Sequence, residues 1–187
     1  VAASISELAL VVNSALRDVT LSAEADQPSF SNGAQSARIS TLVTCILALG
    51  LAAMLPFLVP LFFGPGFRDC IPVTYVLLFA VVFGNPGSVA GATLSGRGYP
   101  GYRSISLIVA STINALCIFI FVPIYGAMGA AYATLVGNLV SSNLNIVFMK
   151  VKFDQPILSY YRLEVSDILK SVHAIKILNQ KLLKRKS

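Results

Sequence analysis

Three stretches of this chain, 39–67, 70–96 and 104–149, contain no Asp, Glu, Lys or Arg. No motif in the sequence constrains the fold as strongly. A hydrocarbon layer about 30 Å thick is crossed by about 20 helical residues rising 1.5 Å each. The first two stretches each hold one such helix, and the third holds two. A water-soluble bundle needs polar outer faces on its helices, and these stretches have no charged face. Composition agrees, with 56% hydrophobic and 12% charged residues and a mean hydropathy of +0.77. An ordinary soluble domain carries about 25% charged residues. Disorder is excluded, because the apolar surface available for burial is ample. The expected fold is all-α, a multi-pass transmembrane helix bundle.

Punctuation by Pro, Gly and charge divides the bundle into spans at about 39–63, 72–94, 105–122 and 127–149. Pro56 and Pro60 lie in the last third of the first of these, where they kink the helix or mark its exit. Pro123 followed by Gly126 supplies the break between the last two. Residues 1–16 are apolar enough for a span but reach only about 24 Å. With no initiator Met, they read as the end of a helix in a longer protein. No basic region precedes them and Glu7 interrupts them, which argues against a signal peptide.

Alternate crossing of these five segments places 17–38, 95–104 and the tail from Lys150 on one side. That side then carries Arg17, Arg38, Arg97, Arg103 and nine tail residues, 13 of the 14 Lys and Arg; the other carries Arg68. Positive residues favour the cytoplasm, so the C-terminus is expected there, in a cell inner membrane. Cys45, Cys70 and Cys117 have no metal-ligand spacing and read as small apolar fillers.

Small residues recur at helical spacing. Gly129, Ala133 and Gly137 form one strip, with Gly126, Ala130, Thr134 and Asn138 beside it. Gly84, Ser88, Ala92 and Gly96 form another, flanked by Gly87, Gly91 and Ser95. Between lipid-embedded helices, association depends on close backbone approach, which such strips allow. They are expected to pack helices together or to line a cavity. Polar residues accompany them: Asn85 before Pro86 and Gly87, where the helix ladder must be disturbed, Asn114, and Asn138, Asn143 and Asn145. An amide in hydrocarbon needs a partner, so all are expected to face inward, bonding neighbours or lining a hydrated path. Glu7, the one acid inside an apolar segment, joins Asn85, Asn114 and Asn138 as a candidate for that path.

Three stretches carry a family resemblance. LPFLVPLFFGPGF (55–67) resembles the end of the ninth helix of polysaccharide flippases in the multidrug/oligosaccharidyl-lipid/polysaccharide exporter superfamily. NPGSVAGATLSGRGYPGYRS (85–104) is similar to that family's next helix and cytoplasmic loop, and VPIYGAMGAAYATLVGN (122–138) to the opening of its twelfth helix. Order, spacing and orientation agree, and the match covers about residues 1–152. The resemblance implies a protein of two pseudo-symmetric six-helix lobes around a cavity open alternately to either side. It implies a cargo of undecaprenyl-diphosphate-linked oligosaccharide, such as an O-antigen or capsule repeat unit. The five segments would be helices eight to twelve, the C-terminal lobe, with the N-terminal lobe absent. LALVVNSALRD lacks the proline often found before the family's loop there.

On that reading, Arg97 and Arg103 stand at the cytoplasmic mouth, placed to attract a lipid diphosphate; the bland alternative is topology marking beside anionic lipid. There is one His, no Gly-rich phosphate loop with its Lys, and no paired carboxylates in a span. An enzyme is not expected, nor a cofactor or metal. From 153 to 187 the chain reads as a basic cytoplasmic tail. Its apolar residues recur at helical spacing between lysines, as in a helix lying on a membrane surface rather than one binding nucleic acid. Expected partners are membrane lipids, the lipid-linked oligosaccharide and the missing lobe. The alternatives are a cation-coupled multidrug exporter of the same superfamily and a non-transporting membrane scaffold for glycan synthesis.

Overall fold

Proline and glycine, rather than charge, mark where the helices turn. The computed structural model describes residues 30–161 and is all-helical. Four long helices follow one another: α1 (Phe30–Phe63), α2 (Cys70–Gly96), α3 (Pro100–Tyr125) and α4 (Ala127–Phe153). A short 3₁₀ turn, Pro65–Phe67, links α1 to α2, and a second, Ile157–Tyr160, follows α4. Segment 1–16, Glu7 and the tail beyond Tyr161 lie outside the described residues.

Every helix is longer than the span expected for it. Arg38 falls inside α1 instead of a loop, and the connection expected over 95–104 shrinks to Arg97–Tyr99. Pro100 opens α3, where its missing N–H costs nothing. Pro56, Pro60, Pro86 and Pro123 are all carried within helices. The break between α3 and α4 therefore comes three residues after Pro123, at Gly126. There φ is +57° and ψ −130°, a conformation that side chains with a Cβ avoid. Three residues on, a Cβ on Gly129 would strike the Phe121 carbonyl, so two glycines let α4 fold directly back along α3.

α2 packs against α1 on one side and α4 on the other, and α4 packs against both α2 and α3. Burial in this bundle is inverted relative to a water-soluble one. The buried set is dominated by small and polar residues, among them Ala37, Ala80, Ala90, Ala92, Ala133, Ser40, Thr44, Asn85, Thr93, Ser142 and Asn145. The exposed set holds the large ones: Phe57 is 78% exposed and Phe119 80%, with Ile46, Leu49, Leu61, Phe62, Ile108 and Ile124 beside them. In water each large side chain left outside forgoes about 1.5–3 kcal/mol of burial. Lipid removes that penalty, and close packing of small residues becomes the cohesive term. Three helical stretches, Gly33–Phe63, Cys70–Gly96 and Pro100–Tyr125, are long and apolar enough to cross a membrane. α4, expected as another span, has the length but not the apolarity, because it carries the polar residues that the bundle buries.

After α4 the chain turns at Asp154, in the left-handed region at φ 52°, and runs back across the end of the bundle. Tyr160, 1% exposed, seats itself among Ala34, Ala37, Val89, Ala90, Leu94, Ile146 and Met149. Arg38 Nη1 donates to the Ser159 carbonyl at 3.3 Å. The segment expected to open a tail is thus, up to residue 161, part of the bundle.

Candidate functional site

The centre of the bundle is the step Asn85–Pro86–Gly87 in α2. Proline has no N–H and crowds the carbonyl one turn before it, so the helix ladder is weakened there. Side chains from both neighbouring helices bond this step. Asn85, 0% exposed, turns toward α1, and its Nδ2 donates to Ser40 Oγ at 3.0 Å and Thr41 Oγ1 at 3.2 Å. Gly87 turns toward α4. Its N–H donates to Ser142 Oγ at 3.0 Å, and its carbonyl accepts from Asn145 Nδ2, also at 3.0 Å. One turn earlier, Asn138 Nδ2 donates to the Ala80 carbonyl at 3.4 Å. At this proline the helix is continuous, and side chains of two neighbouring helices bond the step.

Glycines make this seam close enough to bond. A Cβ on Gly84 would lie 3.2 Å from Asn138 Cβ, and one on Gly91 2.8 Å from Asn145 Nδ2. A Cβ on Gly87 would collide with the Ser142 backbone itself. Gly84, Gly87 and Gly91 thus meet Asn138, Ser142 and Asn145 in rising order, as two parallel helices require. The strip Gly129, Ala133, Gly137 lies buried on α4 against α3, where Gly137 meets Asn114. Asn114 is half-buried, and its Oδ1 has no hydrogen-bond partner among the described residues; the same is true of Asn145 Oδ1 and Thr44 Oγ1. Ala92 is buried and Ser88 half-buried on α2.

One inward expectation is corrected. Asn143 is exposed and its Nδ2 donates to the Leu139 carbonyl of its own helix at 2.8 Å. That bond satisfies the amide locally, so no neighbouring helix is needed. Of the other predicted polar residues, Asn85, Asn138 and Asn145 tie helices together, and Glu7 is not described. A groove of about 280 Å³ between α1 and α2 is apolar, lined by Cys45, Ala48, Leu49, Tyr75, Phe79 and Phe83 among others; none of the predicted path residues lines it. Cys45, Cys70 and Cys117 are free and half-buried.

Arg97 and Arg103 lie at the end of the bundle where α2 finishes, α3 begins and α4 finishes. The Arg97 guanidinium sits over the Phe153 ring, 4.9 Å from its centroid. Arg103 packs its aliphatic stem toward Gly91, its Cγ 3.4 Å from where a Cβ would stand. Ser142 and the Ser40–Thr41 pair escaped the reading of the sequence as site residues. Ser142 carried a signal, because Asn138, Ser142 and Asn145 recur at i, i+4 and i+7 and so share one helix face.

Comparison with known proteins adds one relative. Over 110 residues, 59% of this chain, the sequence is 24% identical to the uncharacterized membrane protein MJ1068 of Methanocaldococcus jannaschii. That stretch spans 22% of the relative's length. No protein-family model matches the chain, and no solved structure matches it. The relative's description agrees with the apolar helices in pointing to a membrane protein.

Proposed function

We propose that this chain belongs to the C-terminal lobe of a transporter that flips a lipid-linked oligosaccharide across the cytoplasmic membrane by alternating access. The observation that carries the reading is the buried polar seam through α2 and α4, centred on the Asn85–Pro86–Gly87 step and ending at a cluster of cations. A lone anchor or a simple scaffold has no need of such a seam. Amide and hydroxyl groups in hydrocarbon cost free energy unless bonded, and they are retained where helices must hold a fixed register and still move together. α4 then crosses the membrane as a further span, its polar face turned to α2 and its C-terminus cytoplasmic. The basic end stands at the cytoplasmic leaflet, where a lipid diphosphate would meet Arg97 and Arg103 before its head group leaves water. The three sequence stretches that resemble polysaccharide flippases lie on the end of α1 with the turn after it, on α2 with the start of α3, and on the end of α3 with the start of α4, in the family's order.

The test is genetic and chemical. Deletion of the gene encoding the whole protein is expected to leave lipid-linked repeat units on the inner leaflet, inaccessible to a periplasmic glycan probe in intact cells. Unchanged outward transfer in the deletion strain contradicts the proposal.

A further inference from the structure

Five cations come together at one end of the bundle: Arg38 on α1, Arg97 at the end of α2, Arg103 on α3, and Lys150 and Lys152 in the last turn of α4. Among the described residues one carboxylate, Asp154, shares that end; the other described acid, Asp69, precedes α2 at the opposite end. The cations are set in a belt of rings. Arg97 lies over Phe153, and Lys152 Nζ lies 4.7 Å from the centroid of Tyr99, so each of two segments holds the other's cation. The two rings meet edge to face at 5.6 Å. Tyr102 continues the belt, 6.2 Å from Tyr99 and 5.1 Å from Phe148.

A cation over an aromatic face is held in place by the ring's negative face and keeps its charge. Tyr rings set at the margin of apolar helices occupy the depth of lipid head groups. The uncharged, outward-facing surfaces of α1 and α3 begin directly below.

We propose that this reciprocal cation–π end is a binding surface for the head groups of anionic phospholipids, selecting them from zwitterionic ones around the protein. The inference concerns the resident bilayer and is independent of what the protein transports. Each cation near an anionic surface contributes about fivefold to the preference, and Arg97 with Lys152 together about twenty-five-fold.

The full chain, released into mild detergent with equimolar phosphatidylglycerol and phosphatidylcholine, is examined by native mass spectrometry for retained lipid. Wild type is expected to retain mainly phosphatidylglycerol. Arg97→Gln/Lys152→Gln is expected to lose that preference by about twenty-five-fold while keeping its helical content and elution volume. A second variant, Tyr99→Leu/Phe153→Leu, keeps every charge and is expected to lose about threefold. The tail's cations are common to all samples, so the differences report on this end alone. Wild-type preference in the charge variant overturns the proposal. So does displacement of the lipid by millimolar inorganic phosphate, which would make this a site for free anion.

Discussion

At the scale of single residues, the seam makes a ranked forecast. Alanine at Gly87 drives a methyl into the Ser142 backbone, which cannot rotate away. At Gly91 the obstacle is the Asn145 side chain, and at Gly84 it is Asn138 Cβ at a distance that needs a shift of only a few tenths of an ångström. Overpacking of this kind costs about 1–3 kcal/mol. Thermal unfolding in micelles should therefore rank Gly87→Ala as the most damaging, then Gly91→Ala, with Gly84→Ala near wild type. Equal effects at all three would mean that the two helices do not approach as described. The small-residue strips were legible in the sequence because helical spacing puts them on one face. Their partners were not, since spacing within α2 says nothing of which side chain stands opposite. Asn143 shows the same limit: an amide near the end of an apolar stretch can bond its own helix, and composition cannot tell that from a bond across the bundle.

Among elements, the existence and order of the four helices followed from missing charge, and their ends did not. The apolar cores were visible, whereas the extra turns at Phe30–Arg38 and Pro100–Ser104 are polar helix that a search for apolar runs does not mark. The strap after α4 was the least legible part. Its sequence, DQPILSYY, has no periodicity, and its anchor is a tyrosine buried in a pocket made by three helices, with Ile157 packed against the same cluster and Arg38 bonding the Ser159 carbonyl. Replacing an aromatic so completely buried by alanine costs about 3–5 kcal/mol. Tyr160→Ala is accordingly expected to lower the unfolding midpoint markedly and to open the 154–161 strap to protease, while Tyr161→Ala, on an exposed neighbour, leaves both unchanged. Equal behaviour of the two variants would remove the strap from the account of stability.

For the molecule as a whole, two patterns agree. Positive charge is sorted to one end along an axis that the helices share, and bulk leans outward, with many alanines, Ser40, Ser142, Asn85 and Asn145 inside and no phenylalanine buried among the described residues. The first was readable as the alternation of basic and neutral connections. The second needed the three-dimensional packing, because uncharged runs do not say which face of each helix turns inward. Both follow from one claim, that hydrocarbon rather than water is the solvent around α1, α2 and α3. The most direct measurement places a nitroxide at position 57 or 119 of the reconstituted full chain and compares collisions with oxygen, which concentrates in lipid, and with a water-soluble nickel chelate. Dominant oxygen collisions at both positions are the expected result, and dominant nickel collisions would contradict the account.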